Sequence, residues 1–124
     1  MKFETENAME IDYVALGKRM KQARNDKKMT QQVLAEMVNA GEGHVSNVEN
    51  ANTSVSLPLL ASIAEALDVT VDELIIDSYP EKKRSDIMIR KAEMLIEQCD
   101  AKDREIVIDT VKSLIDSLQK RKEN

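Results

Sequence analysis

Apolar residues recur at every third or fourth position through most of the chain, which is the spacing of one face of an α-helix. In the first segment of this kind, Leu16, Met20 and Ala23 follow the spacing, and Asp12 precedes them as a predicted N-cap. About seven such segments follow one another. Only three glycines, two prolines and three aromatic residues interrupt them, so residues that favour strands and turns are scarce. The pattern predicts an all-α protein and argues against a β-sandwich or β-barrel.

Local signals predict five short helices between Asp12 and Asp77. Thr30 and Ser56 are expected to cap the second and fourth helices, and Thr70 with Glu73 has the spacing of a capping box before the fifth. The third helix, residues 42–50, contains only two apolar residues, Val45 and Val48, so it should bury a narrow stripe and leave its remaining surface to solvent.

Composition divides the chain into four predicted segments. Residues 1–11 are acidic and have almost nothing to bury, and they are expected to form a disordered lead-in. Residues 12–77 form the five-helix bundle. Residues 78–85 lose their apolar positions around Pro80 and are interpreted as a linker. Residues 86–124 are predicted to form a two-helix hairpin.

The hairpin carries a 4-3-4 spacing of apolar residues on both of its helices, as in a coiled-coil seam. It has more apolar surface than two helices can cover, so it must pack either on the five-helix bundle or on a second copy of the chain. We expect self-association, because two-fold dimers are the commonest assembly. The residues expected to hold the dimer are Leu95, Val107, Val111, Leu114 and Leu118.

The most informative part of the sequence is the pair of predicted helices around the turn Asn39-Ala40-Gly41. Two short helices joined in this way form a helix-turn-helix if the second helix leaves its outer face free for a ligand. That face offers polar groups, and an asparagine such as Asn47 can bind the N6/N7 edge of adenine, while a carboxylate such as Glu42 can accept from cytosine N4. Alternatively, these are solvated polar residues of a small helical bundle.

The same residues closely resemble the lambda-repressor-like, Xre-type helix-turn-helix family. The specific elements are Thr30-Gln31-x-x-Leu34-Ala35 and, fifteen residues on, Val45-Ser46-x-x-Glu49. The resemblance covers about sixty residues, half of the chain. It implies a five-helix DNA-binding domain over residues 12–77 whose third helix enters the major groove of double-stranded DNA.

The family's usual roles can be carried over to matching positions. Gln31 would lie against the DNA backbone, and Arg24 and Glu49 match a structural salt bridge between the first and third helices. Departures from the family pattern are also visible: Asn39 replaces a common turn glycine, Gly41 replaces a Ser or Thr cap, and Asn50-Ala51 replaces the glycine that usually follows Glu49. The DNA-binding residues expected from the resemblance and from charge are Lys27, Lys28, Gln31, Gln32, Glu42, Gly43, His44, Ser46, Asn47 and Asn52.

The net charge of −5 argues at first against a nucleic-acid ligand. Between Gly17 and Leu74, however, there are six cations and eight acidic residues, and every cation lies in residues 18–28. We therefore expect weak, salt-sensitive binding by a monomer and specific binding by two domains on half-sites about 34 Å apart.

Other functions find little support in the sequence. A lone Cys99 and a lone His44 predict no disulfide, no metal site and no cofactor, and no catalytic constellation points to an enzyme. No membrane span, signal peptide or small-molecule domain is evident, so the cytoplasm is the expected location. We interpret the chain as a DNA-binding transcription regulator, in particular a repressor. The alternative is an antitoxin-like or adaptor module whose main partner is another protein.

Overall fold

The computed structural model describes residues 9–123, and the first eight residues of the predicted lead-in lie outside this range. Every element within it is helical, which confirms the all-α prediction. The helices are α1 (Tyr13–Asp26), α2 (Gln31–Met37), α3 (Glu42–Glu49), α4 (Leu57–Leu67), α5 (Val71–Leu74), a 3₁₀ helix (Ile76–Ser78), α6 (Glu81–Glu97) and α7 (Ala101–Glu123).

The predicted caps account for where the first helices begin. The side chains of Asp12, Thr30 and Ser56 each accept a hydrogen bond from a backbone N–H in the first turn of α1, α2 and α4, respectively. Thr70 and Glu73 form the predicted capping box of α5 in both directions. The N-cap of α3, Gly41, makes no side-chain hydrogen bond, so packing has to contribute more to the position of α3 than capping does.

The chain separates into two compact units, one ending at Ile87 and the other beginning at Met88. The core of the first unit is built from one face of each of the five α-helices. Leu34, Val45, Ile63 and Leu67 lie at its centre, each 1% exposed or less. The remaining buried apolar residues of the unit are Leu16, Met20, Ala35, Val48, Leu60, Ala64, Leu74 and Ile76.

Gly17 allows α1 to approach the end of α3 closely. A Cβ atom at this position would lie 2.8 Å from the carbonyl oxygen of Val48 and closer still to that of Glu49. No side chain fits there without moving the backbone, since real Cβ atoms do not come so near to another backbone. Glycine is usually unfavourable inside a helix, and here its cost is offset by the direct contact of α1 with α3.

The boundary between the predicted lead-in and the bundle is shifted. Ile11, assigned to the lead-in, packs against the core. The next residue, Asp12, donates its backbone N–H to the hydroxyl of Ser78 over 2.8 Å. The packing of Ile11 and the hydrogen bond of Asp12 therefore attach the C-terminal end of the predicted lead-in to the bundle.

Most of the predicted linker, residues 78–85, does not act as a linker. Tyr79 contacts the bundle, and residues 81–85 belong to a helix. Tyr79 donates its hydroxyl to Asp72 over 2.7 Å, and Lys83 lies 5.0 Å above the Tyr79 ring. Pro80 does end the preceding segment, but it also starts the next, because its carbonyl accepts from the N–H of Arg84. Proline is suited to a helix start, where its missing N–H has no partner to lose, so residues 81–85 are the first turn of α6 rather than linker.

The second unit consists of α6 from Met88 onward and α7, which are joined by residues 98–100. Asp100 caps α7 by accepting from the N–H of Asp103, and Arg104 donates to the carbonyls of Ile96 and Glu97 at the end of α6. No side chain of residues 88–123 is buried. Leu95 and Leu114 are 55% and 57% exposed.

None of the helices in residues 9–123 is long and apolar enough to cross a membrane.

Candidate nucleic-acid interface

The turn between α2 and α3 is fixed by backbone geometry. Asn39 adopts the left-handed conformation, with φ of 55°, as expected of the residue that replaces a turn glycine. The N–H of Ala40 then donates to the carbonyl of Ala35 over 2.9 Å and closes the end of α2. Asparagine tolerates this conformation better than most residues, so the sequence accommodates the turn that joins α2 to α3 without a glycine at this position.

The inner face of α3 is seated firmly and its outer face is free. Val45, Val48 and Glu49 are buried. With about 100° between successive residues, Gly43 and Asn47 lie on the opposite side of the helix, and both are exposed. Gly43 has nothing within 4 Å of the place where a Cβ would stand. The outer face is therefore open along its length to a ligand.

The other predicted residues of α3 surround this open face. Glu42 and His44 are exposed, and Ser46 is half-buried. Asn50, which was not among the predicted residues, is exposed on the same side as Gly43 and Asn47, and its amide donates to the Ser46 hydroxyl over 3.4 Å. The spacing 43, 47, 50 was the signal that could have identified it. Together these side chains present amide, hydroxyl, imidazole and carboxylate groups with which a polar ligand could form hydrogen bonds.

A buried ion pair ties α1 to α3. Arg24 donates from Nε to Oε2 of Glu49 over 2.7 Å and from Nη2 to Oε1 over 3.0 Å. The side chains are 10% and 1% exposed. These hydrogen bonds raise the pKa of Arg24 above its usual value although burial works in the opposite direction. The two-pronged geometry fixes both the distance and the rotation of α3 relative to α1.

Gln31 belongs to the same network. Its amide nitrogen donates to Oε1 of Glu49 over 3.1 Å, and its side chain is half-buried at the first position of α2. The resemblance assigned it to the DNA backbone, and the structure places it between α2 and the buried carboxylate. Gln32, the next residue, is exposed at the start of α2.

The six cations of residues 18–28 do not act as a single cluster. Arg24 is paired with Glu49, and Arg19 forms an ion pair with Asp77, with Nη2 3.1 Å from Oδ1. The guanidinium of Arg19 holds the pKa of Asp77 below its usual value. The exposed cations of this segment that form no ion pair within residues 9–123 are Lys18, Lys21, Lys27 and Lys28. Four lysines, rather than six cations, are therefore available to attract phosphate groups.

The remaining predicted residues flank the two helices. Lys27 and Lys28 end α1 just before α2, and Lys28 takes the left-handed conformation. Asn52 is exposed, and its N–H donates to the Asn47 carbonyl over 2.8 Å at the end of α3. Ala51 is held at φ of 59°, a conformation that favours glycine.

Residues 20–74 match the family model of the helix-turn-helix. The structure is similar to that of the restriction-modification controller protein C.AhdI from Aeromonas hydrophila, with 33% identity over 51% of this chain and 96% of that one and a TM-score of 0.50. It is also similar to the clp gene regulator ClgR from Corynebacterium glutamicum. One structure of ClgR shares 35% identity over 53% of this chain and 86% of that one, with a TM-score of 0.50. Another shares 26% identity over 73% of this chain and 92% of that one, with a TM-score of 0.53. No curated protein matches the chain.

The helical bundle, the turn between α2 and α3 and the open face of α3 define a helix-turn-helix domain. The chain belongs to the lambda-repressor-like, Xre-type helix-turn-helix family of DNA-binding transcription regulators.

Proposed function

We propose that the protein is a sequence-specific repressor that binds a two-fold operator as a homodimer, with α3 of each chain in the major groove. The observation that carries the proposal is the contrast between the two faces of α3. Its inner face is buried and fixed by the pairing of Glu49 with Arg24, while Gly43 and Asn47 are exposed. A helix of eight residues is about 12 Å long, and the major groove is wide enough to admit an α-helix.

Base contacts from this face would come from short polar side chains. Asn47 can bind adenine through two hydrogen bonds, and Glu42 can accept from cytosine N4. His44 lies beside them, and Gly43 allows the helix backbone to come close to the groove floor. The contacts with the sugar-phosphate backbone are proposed to come from the residues around this surface, which are Lys27, Lys28, Gln32, Ser46 and Asn52.

The homodimer is supported by the exposed apolar row on α7. Val111 and Leu118 are each 40% exposed, and Leu114 is 57% exposed. Exposing such a row to water is unfavourable. Burying it against a second copy would stabilise the dimer by about 25 cal/mol for each Å² of apolar surface removed from water. Leu95 and Val107 are proposed to extend the same interface. Bound to an operator, such a dimer would exclude other proteins from the same DNA, which is sufficient for repression.

The test uses the full-length chain with Val111→Glu and Leu114→Glu together. We expect the wild type to sediment as a dimer, and the double variant to sediment as a monomer with its affinity for two half-sites reduced at least tenfold, because it can no longer bind both together. The matched control is Ser113→Glu with Lys120→Gln, which changes the charge equally on the other side of α7. An unchanged dimer in the Val111→Glu, Leu114→Glu variant would contradict the proposed interface.

The same exposed row on α7 supports the alternative of a module that binds a different protein. Under that alternative, the purified wild type would be a monomer and would shift no duplex selected from random DNA. The sedimentation and selection experiments therefore separate the two functions.

A further inference from the structure

The apolar seam of α7, formed by Val107, Val111, Leu114 and Leu118, has the same spacing in both directions along the helix. Its intervals are four, three and four residues, so turning the helix end over end exchanges Val107 with Leu118 and Val111 with Leu114. Val107 is half-buried, and the other three are exposed. The spacing alone therefore allows a second α7 to lie along the seam in either direction.

Side-chain size favours the antiparallel direction. Both valines lie in the first half of the seam and both leucines in the second half. In an antiparallel pair, every valine faces a leucine of the other copy, so each layer of the interface holds one small and one large side chain. In a parallel pair, valine would face valine at one end and leucine would face leucine at the other, and the helices would have to lie further apart at the leucine end. Large and small residues that alternate across an interface fill it without gaps.

The distribution of charge along α7 favours the same direction. Residues 100–109 contain four acidic residues and two cations, which gives a net charge of −2. Residues 120–123 contain three cations and one acidic residue, which gives a net charge of +2. An antiparallel pair brings the acidic start of each helix to the basic end of the other. A parallel pair would place like charges together at both ends, which is unfavourable.

Asp103 and Arg121 are the charged residues best placed to use this complementarity. They are eighteen residues apart, and at about 100° per residue this is five whole turns, so both lie on the same side of α7. Because they are separated by about 27 Å along the axis, they cannot pair within one chain. Asp103 lies four residues before Val107, and Arg121 lies three residues after Leu118. In an antiparallel pair, Asp103 of each copy therefore meets Arg121 of the other.

Arg104, the cation next to Asp103, is already occupied. Its guanidinium donates to the carbonyls of Ile96 and Glu97 at the end of α6, so it is held towards its own chain and leaves Asp103 to face Arg121. We propose that two copies of α7 pair in the antiparallel direction, with each valine of the seam against a leucine and Asp103 against Arg121 of the second copy. The inference rests on the homodimer of the proposed function and adds the direction and register of its interface.

Disulfide cross-linking of the full-length chain tests the direction, with Cys99→Ser in every variant to remove the native thiol. Val107→Cys and Leu118→Cys together should give a covalent dimer on mild oxidation. Either substitution alone should give little, because each residue lies about 16 Å along the axis from its own copy in the antiparallel pair. Ser113→Cys on the far side of α7 is the control for random collisions and should also give little.

Sedimentation of Arg121→Glu tests the ion pair independently. The dissociation constant of the dimer should rise about tenfold at low salt, because two exposed ion pairs are replaced by repulsions, and the difference should shrink at high salt. The matched control is Lys120→Glu, which makes the same change of charge at the same end of α7 but on the side away from the seam. It should change the dissociation constant by about twofold or less.

The outcomes separate the register from the dimer itself. Cross-links in either single-cysteine variant, none in the variant with both cysteines, or a dimer of Arg121→Glu as tight as that of the wild type would overturn the antiparallel register. Each of these results would leave the homodimer of the proposed function intact. A wild type that sediments as a monomer would overturn both and would leave the seam to a different protein.

Discussion

Arg24 on α1 and Glu49 at the end of α3 are joined by two hydrogen bonds of 2.7 and 3.0 Å, and both side chains are almost completely buried. Gln31 donates to the same carboxylate, and Arg24 also donates to the carbonyl of Met29. One carboxylate therefore fixes the positions of α1, α2 and α3 relative to one another. The orientation of the open face of α3 depends on this pair.

Removing the charge of Glu49 should destabilise the first unit strongly. In Glu49→Gln, the Arg24 guanidinium stays buried without its counter-charge, and losing one partner of a buried pair costs about 3–5 kcal/mol. Arg19→Gln is the control, because the Arg19 side chain is 47% exposed and an exposed pair contributes about 1 kcal/mol or less. Urea unfolding measures both. A loss below about 1 kcal/mol in Glu49→Gln would mean that the pair does not hold the helices together.

Two glycines in the helices should respond to alanine in opposite directions. Gly17→Ala places a methyl group against the backbone of Val48 and Glu49, and overpacking of this kind costs about 1–3 kcal/mol. Gly43→Ala meets nothing within 4 Å and should stabilise the protein by about 0.5–1 kcal/mol through helix propensity.

Thermal unfolding followed by circular dichroism compares the two alanine variants directly. The closeness of α1 to α3 is refuted if Gly17→Ala is as stable as Gly43→Ala.

The ion pair between Arg19 and Asp77 predicts a loss of stability in acid. Hydrogen bonding to Arg19 lowers the pKa of Asp77 in the folded state, so the folded state binds fewer protons than the unfolded state as pH falls. The contribution is fully present above the ordinary aspartate pKa of about 3.9 and is lost as pH falls through the lower folded value.

The measurement is the urea midpoint between pH 5 and pH 2.5. Asp77→Asn should flatten part of the wild-type decline, while Asp116→Asn on α7 serves as the control. An identical pH profile for Asp77→Asn and the wild type would show that the pair is not formed in solution.

Local features of the sequence predicted the helices well. The caps at Asp12, Thr30, Ser56 and Thr70 depend on residues three positions apart, which lie within one helical turn. The burial of Val45 and Val48 followed from the narrow apolar stripe of α3. These features could be predicted because the interactions that create them join residues close together in the sequence.

Contacts between distant segments could not be predicted in the same way. Arg19 and Asp77 are 58 residues apart, so nothing local indicated that Arg19 is occupied. The packing of Ile11 on the core and the hydrogen bond from Asp12 to Ser78 likewise join residues that are far apart in the sequence. In the second unit, the 4-3-4 spacing predicted a seam that must be covered, but spacing does not specify which surface covers it.

The base-reading role of α3 is the central claim. Selection of bound oligonucleotides from random DNA, at two salt concentrations, tests it with the wild type, Asn47→Ala and Lys27→Ala. We expect Asn47→Ala to change which bases are preferred, because its amide is proposed to contact a base edge, and Lys27→Ala to weaken all sequences alike with a shallower dependence on salt. If Asn47→Ala selects the same sequences as the wild type, or if the two variants behave identically, α3 does not read the DNA as proposed.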